Sequence, residues 1–346
     1  MAGKTVKNNS LGMILLKGRT FIALIILVIF FSFCAPNFTT ANSIVLMLRH
    51  TSLYGLLALG MTLVIITGGI DLSVGSVVGL VGMLMGGMLN EGLRLPFMSG
   101  TIYPNVPLIL LIVAVVAILI GLVSGLLIAY LNVPAFIATL GTMYVCRGFA
   151  MLRNGGATFP NLLGSEELGN LGFPTIGSGS ITVFGLDIPY AILIFVVLAL
   201  LSLFILKFTS LGHQIYAVGG NERAATLSGI KTKRIKLFVY MFSALLAAIC
   251  SMINTSQLRA AHPAAGESWE MNAIASVVLG GTSMSGGIGT IVGALVINVL
   301  NDGMTMMGVS SFWQQVIRGV VIVVAVVIDQ LQASLQKKIA LQLRNQ

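Results

Sequence analysis

From residue 21 onward the chain is a succession of long apolar runs parted by short polar or glycine-rich breaks. A bilayer-spanning helix needs roughly 20 mostly apolar residues. On that measure the pattern predicts ten spans, at 21–35, 52–68, 73–90, 108–131, 134–152, 190–208, 237–256, 271–285, 287–303 and 312–329. The expected fold class is an all-α integral membrane protein with about ten transmembrane helices. Residues 1–20 form an N-terminal tail, 21–329 the polytopic domain and 330–346 a C-terminal tail. The first span has a basic flank but no small-residue cleavage site, and "FSFCAPNF" follows it, so it reads as a membrane helix rather than a removable leader. Glycines four apart, Gly75/Gly79, Gly82/Gly86, Gly121/Gly125 and Gly289/Gly293, predict helices that approach closely.

Composition agrees with the pattern. Hydrophobic residues make up 57% of the chain and charged residues 8%, where a soluble domain carries about a quarter charged. Mean hydropathy is +1.01. The net charge of +9 suggests nucleic acid at first, but the basic residues stand at the ends of apolar runs, where topology accounts for them. No nucleic-acid partner is expected. With the N-terminus in the cytoplasm, ten alternating spans put Lys4, Lys7, Lys17, Arg19, Lys207, Arg223, Lys231, Lys233, Arg234, Lys236, Lys337, Lys338 and Arg344 on the inner side. Arg49, Arg94, Arg147, Arg153, Arg259 and Arg318 fall outside or near outer helix ends. The bias predicts that both termini are cytoplasmic. Cys34, Cys146 and Cys250, like His50, His213 and His262, are isolated and show no metal or redox spacing. No metal site, catalytic residue or nucleophile–base pair is expected, which makes a membrane enzyme the weakest of the function classes.

One break carries a charge. In "ITGGIDLSVGSVVG", Ile66 to Gly79, two glycines end an apolar run and Asp71 follows. Gly68 and Gly69 permit the backbone angles of a helix break, and Asp71 can cap the next helix by accepting from its first amides. A second break, "LGGTSMSGGIG", Leu279 to Gly289, lies far downstream with Ser283 and Ser285 in place of the acid. Two such breaks point to two related halves and a central pathway. Candidate pathway residues are Gly68, Gly69, Asp71, Ser73, Phe136, Thr139, Gly281, Ser283 and Gly286. An alternative makes Asp71 a plain cap at the cytoplasmic boundary, in water. The other polar groups in the spans, Thr62, Thr67, Asn132, Thr142, Asn254 and Ser256, are uncharged and suit a neutral polar solute better than an anion. An ion-coupled secondary carrier is the alternative function, with Asp71 as its one candidate carboxylate.

Two soluble segments interrupt the spans. The outer loop 153–189, rich in Gly, Pro, Ser and Asn, reads as a small hairpin or lid, or as a plain connector. The inner segment "KFTSLGHQIYAVGGNERAATLSGIKTKRIK" reads as one capped helix over 221–229. Gly219-Gly220 makes a turn, Asn221 is the N-cap, Glu222 sits where the helix dipole favours an acid, and Gly229 ends the helix.

"AVGGNERAATLSGIKTKRIKLFVY", "GMTLVIITGGIDLSVGSVVGL", "AYLNVPAFIATLGTMYVCRG" and "AIASVVLGGTSMSGGIGTIVGAL" resemble, in this order, signatures of the ribose/galactose/arabinose branch of bacterial ABC-importer permeases, with the ribose permease group the nearest likeness. The resemblance covers roughly residues 45–330. Asn272 stands where that branch often has Asp, Met271 replaces a usual Leu after the matching Glu270, and the tail beyond Gln330 is long. The resemblance implies a type II ABC-importer permease in the bacterial inner membrane, working as a homodimer or beside a related permease. It implies as partners a pair of ABC ATPase subunits, a periplasmic sugar-binding protein and the surrounding lipid, and as substrate a monosaccharide, ribose or a similar pentose. It further implies that segment 221–229 is the helix that docks on the ATPase, with Glu222, Arg223, Ala225 and Gly229 matching that motif. The chain has no G-x-x-x-x-G-K-[ST] phosphate loop, so ATP and Mg are expected on the partner ATPase and no cofactor in this chain.

Overall fold

The computed structural model describes residues 19–94, 100–183, 185–281, 288–324 and 327. They are mostly helical. In chain order the helices are α1 (Arg19–Cys34), α2 (Ala41–Ile66), α3 (Val74–Asn90), α4 (Val106–Ala129), α5 (Ala135–Leu152), α6 (Thr175–Ser178), α7 (Tyr190–Phe208), α8 (Ser210–Gly220), α9 (Glu222–Leu227), α10 (Thr232–Leu258), α11 (Trp269–Leu279) and α12 (Ile288–Met306), followed by α13 (Ser311–Val324). Two antiparallel pairs join them: β1 (Leu93–Arg94) with β2 (Thr101–Ile102), and β3 (Ser180–Val183) with β4 (Leu186–Pro189).

The chain divides into two compact units, one of residues 49–274 and one of 1–48 with 275–346. In the first, α10 is the centre. It is 27 residues long, about 40 Å, and packs along α4 and α3. Glycine sets the approach: Gly121 lies on the backbone of Tyr240 and Met241, Gly125 on Leu237, and Gly82 against the Thr255 hydroxyl. The small-residue spacing therefore does what it predicts at these positions. In the second unit, Phe31, Phe38 and Met47 pack with Val299, Leu300 and Met304, and Gly303 seats the Phe31 ring. The Thr20 hydroxyl donates to the Leu279 carbonyl at 2.6 Å.

Large apolar side chains also line outward faces. Leu111, Leu119 and Val123 of α4, Val197, Leu200 and Phe204 of α7, and Phe312, Trp313 and Val320 of α13 are all exposed. In water such stripes are untenable; against acyl chains they are the expected surface.

Ten spans are predicted. Among the described residues five helices, α2, α4, α5, α7 and α10, are long and apolar enough to cross a membrane, and α1, α3, α11, α12 and α13 are shorter apolar helices. Boundaries shift where polar residues are helical after all. α2 begins at Ala41 rather than 52 because Arg49 stays in the helix, its Nη2 donating to the Gly177 carbonyl at 2.5 Å. The Gly219-Gly220 turn is corrected: both glycines end α8, a helix the sequence reading lacks. Thr209 caps α8 by accepting from Gly212 N at 3.3 Å. Gly219 is glycine because the Ile66 carbonyl occupies the place of a Cβ.

Segment 153–189 contains the β3–β4 hairpin, and residues 159–178 are anchored rather than a plain connector. Phe159 and Ala261 exchange backbone hydrogen bonds at 2.9 Å in both directions. Ser256 Oγ donates to the Phe173 carbonyl at 2.6 Å and accepts from Gly177 N at 2.8 Å. Buried Asn170 donates to the Leu89 carbonyl at 3.1 Å and accepts from Ser165 N at 2.8 Å.

Candidate functional site

At the first break α2 stops at Ile66, Gly68 takes φ +81°, and α3 begins at Val74. The positive φ turns the chain back, and only glycine adopts it freely. Asp71 is 2% exposed, so the cap in water is corrected: the carboxylate is buried. Its Oδ1 accepts from Ser73 N at 3.0 Å and from Ser73 Oγ at 2.6 Å. Its Oδ2 accepts from Ser243 Oγ, on α10, at 2.9 Å. Three donors satisfy the acid and tie the break to the central helix. Thr139 of α5 donates to the Ala135 carbonyl at 2.8 Å and lies 3.2 Å from that of Ile70. Gly69 presses on the Tyr240 hydroxyl of α10.

The structure therefore gathers Gly68, Gly69, Asp71, Ser73 and Thr139. Phe136 starts the same α5 turn but is 55% exposed. Gly281, at φ +67°, belongs to the other unit. Ser283 and Gly286 lie outside the described residues.

A second irregular stretch escaped the sequence reading. Between α10 and α11, residues 259–268 run antiparallel to α3: Ala261 meets Gly86, and Gly266 meets Gly75. Those contacts span about 16 Å of helix. Non-helical backbone beside an apolar helix requires partners for its carbonyls. Arg147 of α5 supplies them, Nη1 donating to Pro263 O at 2.6 Å and to Ala265 O at 2.9 Å. Glu270, buried at the start of α11, approaches Gly75, and Trp269 packs on Tyr54 with ring centroids 5.0 Å apart. The signal was present, an Arg inside a predicted span, but it was assigned to an outer helix end.

α9 is a fully capped single helix. Asn221 Oδ1 accepts from Ala224 N at 3.0 Å. At the other end Gly229, φ +85°, donates from its N to the Thr226 carbonyl, and Ile230 N donates to that of Ala225. These two bonds are the Schellman arrangement that needs glycine just past the helix. The four matching residues divide by direction. Ala225 is buried with Ile215, Val218 and Ile235. Glu222 pairs with Lys236 Nζ of α10 at 2.6 Å. Arg223 is exposed, and Leu227, which the sequence reading passed over, is 90% exposed. Ala225 thus roots the helix while Arg223 and Leu227 project from it.

Among the described residues no three His, Cys, Asp or Glu gather to hold a metal. The site's chemistry is that of position: a satisfied carboxylate, close glycine contacts and a surface helix linked by an ion pair to a central one.

A family model described as "Branched-chain amino acid transport system / permease component" matches residues 43–326. Curated relatives include the ribose import permease proteins of Haemophilus influenzae, 41% identical over 95% of this chain and 98% of that one, and of Bacillus subtilis, 40% identical over 90% and 91%. The galactose/methyl galactoside import permease protein of Haemophilus influenzae is 33% identical over 96% and 98%. No solved structure matches significantly.

Proposed function

Since this chain belongs to the family of branched-chain amino acid transport system permease components, matched over residues 43–326, we propose that it forms the inner-membrane pathway for a monosaccharide, ribose or a similar pentose, in an ATP-driven importer. It is a transport subunit, not an enzyme. The observation that carries the reading is 39–41% identity to ribose import permeases over at least nine-tenths of the chain. The partners that go with it are a separate ABC ATPase, which binds ATP and Mg, a periplasmic sugar-binding protein and a second permease copy. The Lys/Arg bias supports ten crossings with both termini cytoplasmic, the five shorter helices supplying half of them together with irregular segments.

The geometry supports a mechanical role for α9. The ATPase takes the projecting face of Arg223 and Leu227. The Glu222–Lys236 pair passes displacement to α10. Eight residues along α10 from Thr232, Tyr240 meets Gly69, and Ser243 holds Asp71. Movement of the coupling helix thereby reaches the first glycine break, and the pathway opens to alternate sides. A secondary carrier would need an ionisable group free to exchange its ion; Asp71 is held by three donors.

Uptake of labelled D-ribose into proteoliposomes holding permease, ATPase and binding protein tests the reading. Uptake is expected to require ATP and to ignore an ionophore. Uptake that collapses with the ion gradient and continues without ATP would establish the carrier instead. Gly281→Val, at a positive φ, should stiffen the second break and lower uptake while the ATPase still co-purifies, and Gly286→Val should do the same.

A further inference from the structure

α10 is long and apolar enough to cross a membrane, so its first turn stands at a membrane boundary. Beside that turn opens a crevice of about 540 Å³. It is lined by Leu211 and Gln214 of α8, by Ser228, and by Lys231, Arg234 and Phe238. Segment 207–236 carries six basic residues and one carboxylate, Glu222, which Lys236 takes. Lys231 and Arg234 are exposed and make no ion pair among the described residues. Lys233, between them in sequence, turns elsewhere: its Nζ stands 4.9 Å from the centre of the Tyr130 ring. Two uncompensated cations thus share one crevice with a hydroxyl and an amide, a set that suits an anion with several acceptor oxygens. The same face of α10 continues into the membrane, because residues 234, 238 and 242 are four apart. Phe238 and Phe242 are stacked with ring centroids 5.7 Å apart, and both are partly exposed. They lie about 9 and 15 Å along the helix from its start, and the hydrocarbon of one leaflet is about 15 Å deep.

We propose that this crevice holds one anionic phospholipid, its headgroup phosphate between Lys231 and Arg234 and an acyl chain along Phe238 and Phe242. A soluble anion would use only the charged part of this surface. An acidic protein segment has no acyl chain to lay on the rings. The lipid braces α8 against α10, next to the residues that end α9. The site goes beyond the transport reading and does not depend on which solute is carried.

The test titrates the full-length permease, stripped of lipid in a neutral detergent, with phosphatidylglycerol, phosphatidylcholine or glycerol phosphate. Retained ligand is counted by native mass spectrometry, beside a melting curve. Phosphatidylglycerol should fill a tight site and raise the melting temperature, as a ligand of the folded state does. Phosphatidylcholine and glycerol phosphate should do neither. Lys231→Gln and Arg234→Gln should each weaken the tight site roughly fivefold, the share expected of one basic residue near a membrane surface. Both side chains are exposed, so the fold should tolerate either change. Lys233→Gln removes the same charge next door and should leave the tight site as it is. Equal weakening by all three substitutions would mean a general attraction of the basic segment for anionic lipid and would overturn the proposal. Glycerol phosphate bound as tightly as the lipid would overturn it in favour of a soluble phosphate. Loss of ATPase co-purification in Lys231→Gln and Arg234→Gln, with lipid retention unchanged, would overturn it in favour of the ATPase.

Discussion

Gly69 has no Cβ because the Tyr240 hydroxyl stands where one would go. Its φ is not in the left-handed region, so the restriction is purely steric. Gly69→Ala should lower both the melting temperature and uptake, and Tyr240→Phe in the same chain should restore much of each, since the ring Cζ behind the hydroxyl is an ordinary 3.4 Å away. The Val64 contact at 3.2 Å is present in both backgrounds and cancels in the double-mutant cycle, which should return a coupling of about 1–3 kcal/mol. Asp71 permits a second comparison. Asn can still accept from Ser73 and donate to Ser243, which would then accept, so Asp71→Asn should keep most uptake. Asp71→Ala strands buried donors and should cost roughly 1–3 kcal/mol, read as a fall in melting temperature with uptake down about tenfold. The turn that Asp71 makes with Ser73 was legible because its reach is local, although Ser73 rather than Asp71 is the N-cap of α3. The burial of Asp71 was not, because Ser243 lies 172 residues away and no local pattern joins the two.

The capped helix α9 shows the same division between near and far. Asn221, Glu222 and Gly229 fall within nine residues, and the capping rules that act over that distance placed α9 correctly. α8 was lost because Gly219-Gly220 has the composition of a turn, while the glycine requirement there comes from α2 across space. Gly229→Asp should strain the left-handed position, undo the Schellman bonds, abolish uptake and weaken co-purification of the ATPase while the permease remains inserted. Glu222→Lys separates coupling from stability. The pair with Lys236 is half-exposed on the Glu222 side and worth no more than about 1 kcal/mol, so melting should scarcely change while uptake falls at least tenfold, by about the factor 1.4 kcal/mol represents. Exchanging the charges, Glu222→Lys with Lys236→Glu, should return most of the uptake; no recovery would remove the ion pair from the transmission path.

For the whole molecule, Pro160→Cys and Ala340→Cys, each alone in a background lacking the three native cysteines, should react with impermeant reagent from opposite sides of the membrane. Reaction from one side would reject the ten-span arrangement, which puts five crossings between the two positions. Apolar runs announced the ten apolar helices found among the described residues, five of them long enough to cross a membrane, because each carries its own composition signal. They did not announce that half of these helices are short, since a helix end set by contacts with other helices leaves no local composition signal. Residues 259–268 are the plainest case. With Pro, His, Glu and Arg among them, they cannot enter a bilayer by their own hydrophobicity, and they lie instead along α3 with their carbonyls on Arg147. Arg147→Leu should therefore destabilise the protein by about 2–4 kcal/mol, two charge-assisted bonds being lost. It also fixes an order of events during synthesis. α3 and α5 leave the ribosome more than a hundred residues before this stretch, so the groove it needs is in the membrane before it is. A fragment beginning after α5 would arrive with nowhere to put these ten residues, and should be found unfolded or degraded unless the N-terminal fragment is made beside it.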